Sequence, residues 1–143
     1  MNQKNQKVIA RAGEIIAQKA GGGSADCVLA LIDEHGYPTA STISVAKSDG
    51  INWITFSTTA GNNRTKRIKK CSYASVCFSS PEYNITLVGN IEVLTDPDIK
   101  KEMWYDGLAG HFRGTDDPNY CVLRFKTERY NLLVDWKMAT GSL

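Results

Sequence analysis

A segment near the middle of the sequence combines the side chains that phosphate-binding sites use. Hydroxyl residues at 57–59 end a β-rich run, Gly61 follows, and Arg64 and Lys66 stand in the first turn of a predicted helix. Cations there cost about 0.3–1 kcal/mol each, because exposed N–H groups make that end of a helix positive. A bound anion reverses the sign, since hydroxyls, free N–H groups and a Lys/Arg pair suit a phosphate monoester. The segment therefore predicts a site for a phosphorylated small molecule.

Two other interpretations of this basic stretch are open at this point. Lysines and arginines on a short amphipathic helix commonly form only a solvated face. Nucleic-acid binding is the other, but residues 64–70 hold five of the 17 basic residues, and the rest of the chain has 12 bases against 15 acids. A protein that binds nucleic acid along a broad face spreads its positive charge over several elements. We therefore expect a small anion as the ligand and no nucleic-acid partner.

Other kinds of site have little support in the sequence. The two histidines, His35 and His111, are isolated in a predicted turn and a predicted loop, so we expect no metal site and no hydrolase triad. There is no GxGxxG after a strand and no GxxxxGK(S/T). No apolar run reaches signal-peptide or membrane-spanning length, which predicts a cytoplasmic protein without a membrane partner. Four cysteines without metal-ligand spacing are predicted to be reduced structural thiols: Cys27, Cys71, Cys77 and Cys121.

The elements that must position the basic segment are mostly strands. A chain of 143 residues with 42% apolar side chains is long enough for one core, which predicts a single domain over residues 1–143. Short runs rich in β-branched residues or with period-two alternation predict about seven strands. These strands are predicted at 27–33, 39–47, 51–58, 73–79, 84–94, 120–126 and 129–136.

Three helices are predicted beside these strands. Apolar residues at helical spacing predict the first helix at 6–19, and the glycines at 21–23 are expected to end it. The second is the basic helix at 62–70. The third begins at Asp96, which acts as the cap, with Pro97 in the first helical position.

Turn signals between the strands favour an antiparallel fold. Asp49 and Gly50 lie between two β-rich runs and predict a tight hairpin. Gly89, in the middle of a long alternating run, predicts a bulge or bend, and residues 107–118 are predicted to be irregular. Hairpins in place of regular βαβ alternation predict a mainly β, α+β fold, an antiparallel split barrel with an N-terminal helix and short inserted helices.

The order of these motifs resembles the pyridoxamine 5'-phosphate oxidase-like family of FMN-binding split β-barrels. The similar pieces are the strand PTASTISV, the strand WITFST before the basic helix, the strand YASVCF, the run VGNIEVLTD and the tail that starts with DDPNYCVLR. Together they cover nearly the whole chain, and the likeness is greatest to the small general-stress-type members. The resemblance therefore supports the barrel that the strand pattern predicts.

The resemblance also implies a homodimer with FMN bound at the seam between the subunits. In such proteins the strand at 41–44 runs under the isoalloxazine ring, 56–58 line the ring and ribityl chain, and 64–66 hold the phosphate. A tryptophan near the C-terminus reaches the flavin of the neighbouring subunit or packs in the subunit interface. The implied cofactor contacts are Ser41, Thr42, Ile43, Ser44, Phe56, Ser57, Thr58, Asn63, Arg64, Lys66 and Trp136.

Two departures from the family pattern bear on the expected activity. Ser41 stands where the authentic oxidase has an arginine, and residues 137–143 lack its C-terminal Arg/His substrate cluster. We therefore expect an FMN-dependent oxidoreductase that acts with a small-molecule electron donor or acceptor, and no oxidation of pyridoxamine phosphate. Three alternatives stay open: a non-enzymatic flavin or haem carrier or stress-response module, a deazaflavin protein, and a dimeric scaffold whose site has decayed.

Overall fold

The fold begins with an amphipathic helix that packs against the sheet. The structure, a computed structural model, describes residues 2–21 and 27–143, and its helix α1 spans Gln3–Gln18. The helix starts three residues earlier than predicted because the Asn2 side chain accepts a hydrogen bond from the Asn5 N–H and caps the first turn. Among the described residues, no helix is both long and apolar enough to cross a membrane.

One antiparallel sheet of eight strands forms the body of the described chain. The strands are β1 (Cys27–Ile32), β2 (Pro38–Ile43), β3 (Lys47–Asp49), β4 (Trp53–Thr59), β5 (Tyr73–Ser80), β6 (Tyr83–Leu94), β7 (Tyr120–Val134) and β8 (Lys137–Ser142). Their order is β2-β1-β5-β6-β7-β4-β3, and β8 pairs with β7. Inserted between strands are helix α2 (Asn63–Lys70), helix α3 (Pro97–Glu102) and a 3-10 turn (Asp106–Gly110). The predicted fold class is confirmed.

The inner face of the sheet and one face of α1 bury a continuous apolar core. Phe56 of β4, Phe78 of β5 and Phe125 of β7 are fully buried there, and Ile16 of α1 packs in the same cluster. Burial of each such side chain contributes about 1.5–3 kcal/mol to folding. The core therefore holds β4 and its neighbours rigid at the point where the chain enters α2.

The bulge predicted at Gly89 is confirmed. The register between β6 and β7 shifts between Val88 and Gly89, and Glu128 is the extra residue on β7. A Cβ on Gly89 would overlap the carbonyl oxygen of Lys126, so only glycine allows this close approach. The residues predicted as two strands on either side of Glu128 therefore form one continuous strand, β7.

The run predicted as one strand at 39–47 is divided into β2 and β3. Val45 and Ala46 are both buried, whereas a half-buried strand alternates between faces, so the backbone leaves the sheet between them. The N–H of Gly21, in the predicted glycine stop after α1, donates to both of their carbonyls at 3.1 and 3.0 Å. Residues 22–23 of that stop lie outside the described residues.

The hairpin predicted at Asp49 and Gly50 is confirmed, with a longer turn than expected. Asp49 pairs with Trp53, the Asn52 N–H donates to the Asp49 carbonyl at 2.9 Å, and Gly50 has φ +56°. The strand predicted from residue 51 therefore begins at Trp53. A glycine at the positive φ is what the tight turn requires.

The last strand, β8, was missed by the sequence prediction. Asp135 and Trp136 form a two-residue turn with φ +52° and +65°, and Val134 pairs with Lys137 across it. Two positive φ angles are typical of a type I′ hairpin, which favours Asn or Asp at the first position and Gly at the second. Asp135 fits the first position but Trp136 does not fit the second, so the turn was not recognised and the strand predicted over 129–136 was extended through it.

Candidate functional site

The start of helix α2 is fastened to the end of strand β4. Asn62 caps the helix: its Oδ1 accepts from the Thr65 N–H at 3.0 Å, and its Nδ2 donates to Thr58 Oγ1 at 2.7 Å. The Thr65 hydroxyl donates to the Asn62 carbonyl at 2.9 Å, and Ile68 is buried in the core one turn later. Cap and core contact together set the rotation of the helix, and with it the direction of each basic side chain.

Arg64 turns from α2 toward strand β2. Its Nη2 donates to Ser41 Oγ at 2.9 Å and to the Thr42 carbonyl at 2.7 Å. Partial burial lowers the pKa of the guanidinium, which nevertheless stays charged because the ordinary pKa of arginine lies far above neutral pH. None of the ion pairs among residues 2–21 and 27–143 includes Arg64. The guanidinium is therefore a fixed, half-buried cation without a carboxylate partner.

A cleft of about 340 Å³ opens beside this arginine, and we call it the Arg64 cleft. The ends of β2 and β4 and the start of α2 form its polar wall, and the segment around the 3-10 turn forms an opposite, partly aromatic wall. Its lining residues are Thr42, Ile43, Ser44, Ser57, Thr58, Thr59, Arg64, Tyr105, Leu108, His111 and Phe112.

One hydroxyl of a residue that lines the Arg64 cleft is buried beside a tyrosine. Ser57 Oγ lies next to the hydroxyl of Tyr120, which donates to the Lys100 carbonyl at 2.9 Å. Burial raises the pKa of Tyr120 to about 12, and the interaction with the Ser57 hydroxyl opposes this rise. A hydroxyl has one donor and two acceptor sites, so Ser57 keeps hydrogen-bonding capacity for a polar ligand atom in the cleft.

The structure divides the predicted cofactor contacts into two groups. Six line the Arg64 cleft: Thr42, Ile43, Ser44, Ser57, Thr58 and Arg64. Ser41 lies next to them and accepts from Arg64. Phe56 is fully buried in the core, Asn63 and Lys66 line a different cleft on another face of α2, and Trp136 is 82% exposed at the tip of the β7–β8 turn.

The aromatic wall of the cleft was missed by the sequence prediction. Tyr105, Leu108, His111 and Phe112 come from the region predicted as irregular or lie beside it, and His111 was interpreted as a surface residue outside any site. Phe112 is anchored by the ring of Tyr120, at 5.2 Å between centroids. The signal available was a group of aromatic side chains around a glycine-rich loop.

Asp117 closes the loop that carries this wall. Its carboxylate accepts from the Arg113 N–H and the Asn119 N–H, both at 2.9 Å, and the Lys100 Nζ donates to its carbonyl at 2.9 Å. The backbone donors lower the pKa of Asp117 below its usual value, and desolvation opposes them. The loop is therefore held by defined hydrogen bonds although it lacks regular structure.

A second feature of the site region is the outer face of the sheet. Residues paired directly across antiparallel strands lie on the same face, and one row crosses six strands without a charge. In the order β2-β1-β5-β6-β7-β8 this row is Thr42, Val28, Cys77, Thr86, Asn131 and Thr140. The neighbouring row is Ala40, Ala30, Ser75, Val88, Arg129 and Ser142, with one charge. We call these two rows the outer sheet face.

The comparison with protein families identifies the chain. The sequence model described as pyridoxamine 5'-phosphate oxidase matches residues 23–133. The chain belongs to the pyridoxamine 5'-phosphate oxidase family. The resemblance noted from the strand and helix motifs is thereby confirmed, together with the split-barrel fold that it implies.

Solved structures of this family and its neighbours share the fold. A Clostridium acetobutylicum protein related to general stress protein 26 is 27% identical, with a TM-score of 0.81 and 96% of each chain covered. General stress protein 26 of Bacillus anthracis is 17% identical, with a TM-score of 0.74 and coverage of 94% of this chain and 98% of that one. A NimC/NimA family protein of Clostridium acetobutylicum is 18% identical, with a TM-score of 0.72 and coverage of 94% and 93%. Among curated protein sequences, none matches this chain.

Proposed function

We propose that this member of the pyridoxamine 5'-phosphate oxidase family binds FMN in the Arg64 cleft and functions as a flavin-dependent oxidoreductase. One observation carries the proposal: the half-buried Arg64 lies at the start of a helix, beside hydroxyls, and forms no ion pair with a carboxylate of the described residues. A cation in that setting favours an anionic ligand, and an arginine fork matches two phosphate oxygens. The positive end of α2 adds to the attraction.

The chemistry of the cleft fits the three parts of FMN. The phosphate matches Arg64 and the α2 N-terminus, the ribityl hydroxyls match the hydroxyl residues Ser57 and Thr58, and the flat ring matches the wall that contains Tyr105 and Phe112. Small-molecule sites typically combine such apolar surfaces with a few placed polar groups in about 300–1,000 Å³. The cleft volume of about 340 Å³ lies at the lower end of this range.

Thr58 is prepared to donate to a ligand oxygen. Its Oγ1 already accepts from Asn62 Nδ2 at 2.7 Å, so the hydroxyl proton is free to point elsewhere, and the side chain lines the cleft. Asn62 thus has two roles, because it caps the helix and also orients the Thr58 hydroxyl. The phosphate contact that we assign to this helix comes from Arg64, since Lys66 lines a different cleft.

The outer sheet face supports a homodimer. It is nearly uncharged in a chain of which 22% of the residues are charged, and charged residues are depleted at the centre of protein interfaces. Thr42 belongs both to this face and to the Arg64 cleft, so a second copy packed on the face would border the cofactor. Trp136, exposed at a turn with positive φ, is available to such a partner.

When bound, FMN would supply the transfer of a hydride or of electrons, and the protein would supply placement and electrostatics. Arg64 would fix the phosphate end, and the wall with Tyr105 and Phe112 would exclude water from one side of the ring. His111 lies on the exposed rim of the same cleft, where a small electron donor or acceptor would enter. A turnover assay that follows the oxidation of a reduced nicotinamide cofactor, with a quinone as acceptor, distinguishes an enzyme from a carrier. A carrier would show no turnover.

Quenching of flavin fluorescence tests the binding site directly. Arg64→Gln is expected to weaken FMN binding roughly 10- to 100-fold, since a hydrogen bond to a charged group contributes about 1.5–3 kcal/mol. Lys66→Gln, on the same helix but in the other cleft, is the matched control and is expected to change the affinity less than about threefold. Equal losses in the two variants would contradict the assignment of the phosphate to Arg64.

A further inference from the structure

A second cleft, of about 460 Å³, lies between α2 and the turn that joins β1 and β2. Its basic side is the helix face that carries Lys66, Arg67 and Lys70, at positions that helical spacing brings together. Lys69 also lines it, and Ile32 provides apolar surface on the side of the sheet. We call it the basic cleft, and no part of the flavin proposal uses it.

The acids of the basic cleft do not neutralise its lysines. Glu34 is paired with Arg67, at 3.2 Å between Oε2 and Nε. None of the ion pairs among the described residues includes Lys66, Lys69 or Lys70. The three ammonium groups therefore remain available to an external anion.

The other carboxylate, that of Asp33, is occupied within its own turn. One oxygen accepts from the N–H groups of His35 and Tyr37 at 2.9 and 3.0 Å, and the other accepts from the Thr39 hydroxyl at 2.9 Å. An oxygen that already has such donors is a weak competitor for a nearby lysine. The cleft thus keeps an excess of positive charge although two acids contribute to its wall.

We propose that the basic cleft binds a nucleotide through its diphosphate group. Two adjacent phosphates carry more negative charge than one cation can neutralise. Three lysines around one cleft supply the additional positive charge. Ile32 offers apolar contact to a sugar or base, and the volume is that of a small-molecule site. Positive charge confined to one short helix in a chain whose remainder has more acids than bases favours a small ligand over a nucleic acid.

Isothermal titration calorimetry with ADP tests this proposal on the full chain at low salt. The wild-type protein is expected to bind one ADP per chain, and Lys66→Gln combined with Lys70→Gln is expected to weaken ADP binding at least about tenfold. AMP, with one phosphate, is expected to bind several-fold more weakly than ADP. Neutral glutamine is a good helix former, so the double variant should keep the circular dichroism spectrum of the wild type.

The two clefts are separated by the response of each variant. The lysine double variant is expected to keep its FMN affinity, and Arg64→Gln is expected to keep its ADP affinity. Absence of saturable ADP binding in the wild type would overturn the proposal, whatever the flavin result. Loss of ADP binding in Arg64→Gln alone would overturn it too, because ADP would then occupy the Arg64 cleft. A short oligonucleotide that binds more tightly than ADP through the same lysines would replace the proposal with nucleic-acid binding.

One thiol provides an internal probe of position. Cys71 lines the basic cleft and is half-buried. Saturating ADP is expected to slow alkylation of Cys71 several-fold in the wild type, as followed by peptide mass spectrometry, and to have little effect on it in the lysine double variant. Equal slowing in both proteins, or in neither, would contradict a ligand in the basic cleft.

Discussion

The two clefts beside helix α2 differ in how their cations are held. Arg64 makes two hydrogen bonds to strand β2 and has one direction, whereas Lys66, Lys69 and Lys70 form no ion pair with any described residue. The basic cleft therefore has more charge, and the Arg64 cleft has more fixed geometry. A single positioned arginine with oriented hydroxyls can select a phosphate ester, while a set of flexible lysines attracts anions with less selectivity.

Both clefts depend on how α2 packs against the core, so a substitution that weakens this packing should weaken ligand binding in both. Ile68→Ala removes the buried side chain that holds the helix on the core. We expect a loss of about 2–5 kcal/mol in the free energy of unfolding, measured by urea titration, together with weaker binding of FMN and of ADP. Ile68→Val is the control, with an expected cost of about 0.5–1.5 kcal/mol. Unchanged binding of both ligands in Ile68→Ala would show that the packing of α2 on the core does not determine the geometry of the clefts.

A change on the outer sheet face should damage only the Arg64 cleft. Val28→Glu places a charge between Thr42 and Cys77, within the uncharged row. We expect a monomer in size-exclusion chromatography with light scattering and roughly tenfold weaker FMN binding, because burial of like charges opposes association. ADP binding should be unchanged. Val28→Thr keeps the shape without the charge and should remain a dimer; a dimeric Val28→Glu would show that the subunits meet elsewhere.

Removal of the helix cap is expected to produce a smaller difference between the two clefts. Asn62→Ala removes the cap and the donor that orients Thr58. Loss of an N-cap side chain typically costs about 1 kcal/mol of stability, and we expect FMN affinity to fall by a further factor of about five. Asn62→Asp restores the cap but not the donor to Thr58, so it should recover stability more than FMN affinity. Equal recovery of stability and of FMN affinity would contradict the proposal that the Thr58 hydroxyl donates to the ligand.

The smallest effect is expected at Glu34, which affects only the basic cleft. Glu34→Gln releases Arg67 from its ion pair. ADP affinity should rise about two- to fivefold, as a surface ion pair contributes about 0.2–1 kcal/mol, and FMN affinity should not change. Calorimetry at two salt concentrations checks that the gain is electrostatic. A loss of ADP affinity would indicate that Glu34 itself contacts the ligand.

Most of the fold could be predicted from local patterns. Period-two alternation located the strands around Leu87 and Val76, and Gly89 was recognised as a bulge because its run alternates on both sides. The division at Val45 and Ala46 could not be predicted, since the contact that draws this backbone out of the sheet comes from Gly21. Strand β8 was missed because its turn has no glycine or asparagine, and the strand order that builds the outer sheet face depends on pairing between distant segments.

The candidate site was predicted only in part, for a related reason. Arg64 and Lys66 were treated as one phosphate pair, although two residues along a helix are about 200° apart around its axis. That separation was available in the sequence, and the structure places the two side chains in different clefts. The aromatic wall from Tyr105 to Phe112 could not be located from its own segment, because its position is set by packing against Tyr120 of β7.

The most direct test of the flavin proposal compares FMN with riboflavin, which lacks the phosphate. The ratio of their dissociation constants, measured by fluorescence quenching, isolates the phosphate contact for the wild type and for Arg64→Gln. We expect the wild type to prefer FMN at least tenfold and Arg64→Gln to lose most of that preference while its riboflavin affinity stays nearly the same. A preference that persists in Arg64→Gln, or a wild type that binds both flavins equally, would contradict a phosphate held by Arg64.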